Sequence, residues 1–178
     1  LALRPDLDVV DIRGNVETRL RKLVEEDMAG TILAAAGLVR LGRPDTVAFA
    51  FGFDQMLPAV GQGALAIEAR TDHPWTEELV AALDHRPTAL AVSAERALLG
   101  TLEGGCQVPI AALAVWKEGD DGAGTLTLDA YVGSLDGRRS VRGERALPAD
   151  DPSRLGVDLA AELLERGAGE ILDEIRTP

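Results

Sequence analysis

Between residues 125 and 132 apolar and polar residues alternate without a break, with Leu126, Leu128, Ala130 and Val132 on one side and Thr125, Thr127, Asp129 and Tyr131 on the other. A period of two is strand geometry, and a strand with one apolar face belongs to a sheet that is covered on that face alone. Two further strand patterns flank it, Ile110 to Lys117 and Arg139 to Leu147. Asp136-Gly137 is a strong hairpin signal, and residues 118 to 124 make a longer connection. A helical pattern over residues 88–103 places Leu90, Ala94, Ala97, Leu98 and Leu102 on one face. A second, over residues 152–175, presents Val157, Leu163, Leu164, Ile171, Leu172 and Ile175, with Gly167 and Gly169 expected to bend or interrupt it. These elements predict a compact α+β domain, a three-stranded antiparallel sheet with two helices on one face.

His85-Arg86-Pro87 marks a boundary, and the organisation before it is different. Residues 8–13 read as a short strand, after which Gly14 and Asn15 supply a turn and a helix cap. Val16, Leu20, Leu23 and Val24 recur at helical spacing, residues 30–36 look like a buried strand, and a short turn of helix from Gly37 carries Arg40. Strand, helix, strand predicts a βαβ unit of a parallel sheet, and a sheet of two strands needs partner strands from elsewhere. A short helix is expected over residues 46–51, a strand over 64–69 and a helix over 76–83. The chain starts at Leu1 and reads as a piece of something longer.

Composition narrows the function. The net charge is −12 and aromatic residues make up 3% of the chain, so neither phosphate backbones nor anionic membranes would be attracted and stacking on bases has few platforms. No segment approaches a membrane span, no signal peptide is evident, and one cysteine excludes an intramolecular disulfide, which makes a reducing cytoplasm the expected compartment. Residues 1–22 hold five basic against four acidic residues, so the rest of the chain carries −13. The N-terminal segment is where an anion would be tolerated.

Two groups of residues could carry chemistry. The lone cysteine, Cys106, stands in Leu102-Glu103-Gly104-Gly105-Cys106-Gln107-Val108-Pro109-Ile110, a glycine turn between a helix and a strand that leaves a thiol unshielded. Taken singly, a lone cysteine is more often a small buried hydrophobe. Arg13 and Arg19 bracket Asn15 at the start of the first helix, where free N–H groups and two guanidinium forks make a receptor for carboxylate or phosphate. The competing expectation is that both pair with Asp11, Glu17 or solvent. Val60-Gly61-Gln62-Gly63 lacks the third glycine of a dinucleotide site and reads as a crossover between lobes. His73 and His85 have no partners at zinc spacing, Asp120 and Asp121 lack a calcium-loop pattern, and no metal site is expected. The run Arg138, Arg139, Arg142 and Arg145 reads as an exposed sheet face.

Five segments in order, Asp11 to Leu20, Ala35 to Gly42, Leu57 to Ala64, Ala94-Glu95-Arg96-Ala97 and Leu102 to Ile110, together resemble the porphobilinogen deaminase (hydroxymethylbilane synthase) family over essentially the whole chain. The resemblance implies a cytoplasmic transferase of tetrapyrrole, and so heme, biosynthesis. Such an enzyme joins four porphobilinogen molecules head to tail, releasing ammonia at each step, to give the linear hydroxymethylbilane. It further implies that Cys106 carries a dipyrromethane cofactor through a thioether and anchors the growing polypyrrole chain. Loss of ammonia from porphobilinogen leaves an electrophilic azafulvene that a thiolate or a pyrrole carbon can attack. By motif, Arg13, Arg19 and Arg40 fall on the arginines that bind acetate and propionate side chains, with Gly37 allowing close approach of the cofactor.

The implied fold class is α/β plus α+β. A partial parallel-sheet, periplasmic-binding-protein-like lobe over residues 1–63 and a crossover segment over 64–85 precede the cofactor-bearing α+β domain over 86–178. The family's N-terminal lobe, with its catalytic aspartate, should precede Leu1, so no catalytic residue is assigned here and the chain alone is expected to be inactive. The full-length enzyme is expected to be monomeric, while apolar surface left where the lobe belongs would favour self-association of the fragment. The alternatives are a non-catalytic carboxylate- or anion-binding module, which would tolerate Cys106→Ser, and an interaction fragment with no ligand.

Overall fold

The structure, a computed structural model, describes residues 1–103, 108–119 and 124–176. The chain divides into two compact units, Asp6–Gln55 on the one hand and Leu1–Pro5 with Met56–Pro178 on the other.

In the larger unit, the sheet forms as its alternation requires. Strands β1 (Ile110–Glu118), β2 (Gly124–Gly133) and β3 (Ser140–Pro148) pair antiparallel in the order β1-β2-β3. The register sets Ala112 opposite Ala130 and Leu126 opposite Leu147, so the apolar sides of the strands share one face. Leu126, Leu128, Ala130 and Val132 are fully buried there. The β2–β3 hairpin turns through Asp136, whose carboxylate accepts the Arg138 N–H, and Gly137, with φ of 72°.

Helices close that face. The first, α4 (Arg86–Thr101), starts at the Arg86-Pro87 boundary and buries Ala94, Leu98 and the following Leu102. A further helix, α5 (Pro152–Leu163), is capped by the Asp151 carboxylate, which accepts the Arg154 N–H at 3.0 Å. The helix expected over 152–175 is interrupted at Gly167, one of the two glycines expected to break it: a π-helical turn over Leu164–Ala168 contains Gly167 at φ 98°, and α6 (Gly169–Arg176) follows. The apolar face differs in part from expectation: Leu163, Ile171 and Leu172 are buried as expected, but Val157 and Leu164 are exposed and Leu155, Leu159 and Ala160 are buried instead. The α4–α5 contact is centred on Gly156, where a Cβ would stand 2.2 Å from the Ala94 carbonyl oxygen, so the contact face is set by a residue with no side chain. Ahead of α4, α3 (Pro74–Ala81) begins two residues earlier than expected, with Pro74 in its first turn.

In the smaller unit, α1 (Val16–Glu25) and α2 (Ala35–Arg40) form, the latter around buried Leu38. The strand patterns over 8–13 and 30–36, and that over 64–69 in the larger unit, carry no strand. Extended backbone becomes a strand only when its amide and carbonyl groups meet those of a neighbour, and no described residue pairs with these three segments. In place of a helix over 46–51 there is a single 3-10 turn, Pro44–Thr46. Val47, Phe49 and Phe51, β-branched or aromatic, extend a helix poorly. Among the described residues, no helix is long and apolar enough to cross a membrane.

Candidate anion site and the cysteine segment

The start of α1 is built by the Gly14-Asn15 turn. Gly14 takes φ 126°, a conformation that few residues other than glycine adopt, and so turns the chain from Arg13 into the helix. Asn15 is the cap, its side-chain oxygen accepting the Thr18 N–H at 2.8 Å. Arg19, one turn into the helix and half-buried, folds back so that its Nε donates to the Gly14 carbonyl at 2.9 Å. Its guanidinium is thereby held beside the turn that Arg13 enters. At Gly37 a Cβ would approach Val16 Cγ2 to 3.3 Å, so bare backbone at this position lets α2 pack on the first turn of α1. Arg40 closes α2 one turn further on and is exposed, as is Arg13.

The electrostatics of this corner are unusual for so acidic a chain. Arg13, Arg19 and Arg40 form no salt bridge with any described residue, and Asp11 and Glu17, the nearest candidates in sequence, do not engage them. The ion pairs of the same helix, Arg21 with Glu25 and Lys22 with Glu26, lie toward its other end. Three guanidinium groups thus remain available to an external anion, and guanidinium matches carboxylate in charge and in its two-pronged geometry.

The basic run of the sheet domain behaves differently. Arg138 pairs with Asp136, Arg139 with Glu174, and Arg145 with Asp158 and Glu162. Arg142 grips Asp129 through two bonds of 3.0 and 2.6 Å on the open face of the sheet. Acidic neighbours neutralise this run, and Arg145 leans toward α5 and away from the open face. Among the described residues, no three His, Cys, Asp or Glu side chains gather as a metal site would require.

Cys106 and the adjacent residues 104, 105 and 107 lie outside the described residues, as do Asp120 and Asp121. Two groups to which the sequence patterns assign no role tie down the elements on either side of that segment. Glu95, 5% exposed, sits on the apolar stripe of α4 and accepts the Ala114 N–H at 2.9 Å and the Gly61 N–H at 2.7 Å. It fastens the Val60-Gly61-Gln62-Gly63 segment to β1, beside a bond from the Ala112 N–H to the Pro58 carbonyl. The available signal was a carboxylate at a core register between Ala94 and Leu98. Arg176, at the end of α6, donates to the carbonyls of Leu102 and Glu103, more than 70 residues away in sequence, and no local pattern announces it.

Residues 1–78 match the family model described as "Porphobilinogen deaminase, dipyromethane cofactor binding domain", and residues 89–165 match "Porphobilinogen deaminase, C-terminal domain". Arg13, Arg19, Gly37 and Arg40 all fall in the first match, and Cys106 falls in the second. Porphobilinogen deaminase of Desulforudis audaxviator is 52% identical over 99% of this chain and 55% of its own length. That of Carboxydothermus hydrogenoformans is 47% identical over 99% of the chain and 55% of its own. For the Geobacter metallireducens protein, identity is 51% over 98% of the chain and 54% of its own length. The chain thus spans about half the length of these relatives, and at this identity over nearly every one of its residues it belongs to the porphobilinogen deaminase family.

Proposed function

We propose that the protein containing this chain is a hydroxymethylbilane synthase, a cytoplasmic transferase that condenses four porphobilinogen molecules head to tail with release of ammonia. The observation that carries the reading furthest is the set of guanidinium groups at Arg13 just before α1, Arg19 on α1 and Arg40 on α2, which have no acidic partner among the described residues and lie in the stretch matched by the cofactor-binding model. A dipyrromethane and the pyrroles added to it bear two carboxylates per ring. The donors present, Arg13, Arg19 and Arg40, suit such a polyanion, so the residues fit the group. Gly37, on the same helix as Arg40, is the position of close approach. Bound there, dipyrromethane supplies the pyrrole carbon from which the chain is extended.

The roles of the chain's own residues follow from their chemistry. Cys106 holds the cofactor as a thioether, a tether stable through repeated condensations. The arginines bind and orient carboxylates, so that an acidic product is kept on an acidic protein until the chain is complete. In the domain organisation we propose, residues 1–63 form part of a periplasmic-binding-protein-like lobe. Residues 64–85 are a crossover, 86–178 form the cofactor-bearing domain, and the catalytic aspartate belongs to a lobe outside these 178 residues. The full-length enzyme is monomeric in this reading, and the chain alone is inactive.

The test uses the full-length protein. Cys106→Ser should remove both the covalent adduct, read by intact mass, and the turnover of porphobilinogen, while Arg19→Ala should weaken carboxylate binding about tenfold. An adduct or wild-type turnover surviving in Cys106→Ser would overturn the proposal.

A further inference from the structure

The turn into α1 holds one residue twice. Arg19 donates its backbone N–H to the Asn15 carbonyl at 3.0 Å, the first bond of the helix, and its Nε to the Gly14 carbonyl at 2.9 Å. The second acceptor lies outside the helical ladder, because the carbonyl of the cap, Asn15, is the first that the ladder uses. The Gly14 carbonyl is therefore free to serve a side chain, and the backbone at φ 126° sets where it points. A residue with a side chain rarely holds that angle, and a Cβ here would stand 2.6 Å from Thr18 Cγ2 and 2.8 Å from Thr18 Cβ. Thr18 has no room to yield: its Cβ is carried by the helix backbone, and its N–H is bonded to the Asn15 side chain at 2.8 Å. The bond to Nε also decides which edge of the guanidinium is left for a ligand. A guanidinium meets a carboxylate side-on, through Nε and one Nη, or end-on, through both Nη groups. With Nε taken, the side-on edge is closed and the two Nη groups of Arg19 remain as a single fork with no partner among the described residues. Arg13 and Arg40 are exposed and have no such anchor among those residues.

We propose that Gly14 is a positioning residue for Arg19: its backbone carbonyl takes Nε and so presents the terminal fork, end-on, to one pyrrole carboxylate. The side-chain freedom that an arginine surrenders on gripping an anion is then lost before the anion arrives, and the carboxylate meets a guanidinium already aimed. Gly14 touches no ligand itself, and its side of the turn is exposed, so its replacement removes no core contact. The proposal rests on the reading of Arg19 as a carboxylate ligand.

The experiment measures porphobilinogen turnover by the full-length protein, with KM and kcat read separately and thermal denaturation alongside. Arg19→Ala sets the size of the carboxylate contact, about tenfold in KM. Gly14→Ala should raise KM about fivefold with kcat little changed, as expected when binding is lost equally from ground and transition states. A purely structural defect would instead leave fewer active molecules, with a lower apparent kcat and a wild-type KM. The double variant separates the two further: Gly14→Ala should add nothing in the Arg19→Ala background, because a glycine that acts through one guanidinium has no effect once that group is gone. A wild-type KM in folded Gly14→Ala overturns the proposal. A fivefold rise repeated in the Arg19→Ala background also overturns it, by showing that the turn serves other groups. If Gly14→Ala melts below the assay temperature, Arg19→Lys carries the test. Lysine keeps the charge but cannot both bond the Gly14 carbonyl and present a fork, so KM should again rise about fivefold, and a wild-type value there overturns the proposal. A wild-type KM in Arg19→Ala overturns it at its base, since the carboxylate role of Arg19 would then fail whatever Gly14 does.

Discussion

Replacing Gly156 by alanine should destabilise the sheet domain, although alanine is the better helix former. The added Cβ would stand 2.2 Å from the Ala94 carbonyl oxygen, 2.7 Å from the Leu98 nitrogen and 2.8 Å from Ala97 Cβ. Two of these are backbone atoms of α4, so no side-chain rotation relieves the contact. Restoring about 3.4 Å to the oxygen requires the helices to separate by roughly 1.2 Å, and gaps of that order forfeit a quarter to a half of the dispersion energy of the atoms concerned. The atoms include those of Leu98, Leu155 and Leu159, all fully buried. Overpacking of this kind costs about 3 kcal/mol, and the gain in helix propensity returns about 1 kcal/mol, leaving a net loss of about 2 kcal/mol. For a domain of this size that corresponds to a melting temperature lower by about 10 °C. Gly100, inside α4, provides the control, because a Cβ there meets nothing within 4 Å. The same substitution at Gly100 should stabilise by up to about 1 kcal/mol. Urea denaturation followed by circular dichroism reads both, as opposite shifts of the midpoint at unchanged slope. A midpoint for Gly156→Ala equal to or above wild type would refute the inference that the α4–α5 contact is closed against a single carbon.

Two further outcomes test the packing and electrostatics. Glu95→Ala leaves the N–H groups of Gly61 and Ala114 without their acceptor and should cost about 2–4 kcal/mol; Glu95→Gln, which keeps one acceptor oxygen, should fall between it and wild type in thermal denaturation, and equal melting of the two variants would contradict the two-bond clamp. The Asp136 carboxyl is held below the usual carboxylate range by the Ser134 hydroxyl first and the Arg138 N–H second. Because its folded pKa lies below the unfolded one, its contribution is present above the unfolded value of about 3.9 and is lost as pH falls through the folded value. Ser134→Ala should therefore raise the Asp136 pKa in an NMR titration of the carboxyl carbon, and an unmoved titration would show that the hydroxyl is not the cause.

The parts of this fold that could be read in advance are those whose specification is local. Alternation in β2 fixes both its face and its neighbours' faces, because a period of two leaves no other register with Leu126 and Val132 inside. The Gly14-Asn15 turn is local as well, and so the start of α1, with Arg13 before it and Arg19 one turn in, was legible. A reading that counts apolar side chains fails where a contact is made by an absent one, and so it placed Val157 of α5 in the core when Gly156 sets the crossing. It fails differently in the first half of the chain. There the strand patterns describe only one side of a ladder, and with no described neighbour Val9, Val10, Ile32, Leu65 and Ile67 all remain exposed. Glu95 and Arg176 belong to a third kind, polar groups whose partners are backbone atoms brought close only by the finished fold. Backbone acceptors and donors are the same at every position, so a sequence cannot mark them as targets. Through such unmarked contacts the elements on either side of the cysteine segment are held, the end of α4 by the Arg176 guanidinium and β1 by the Glu95 carboxylate that reaches it from α4.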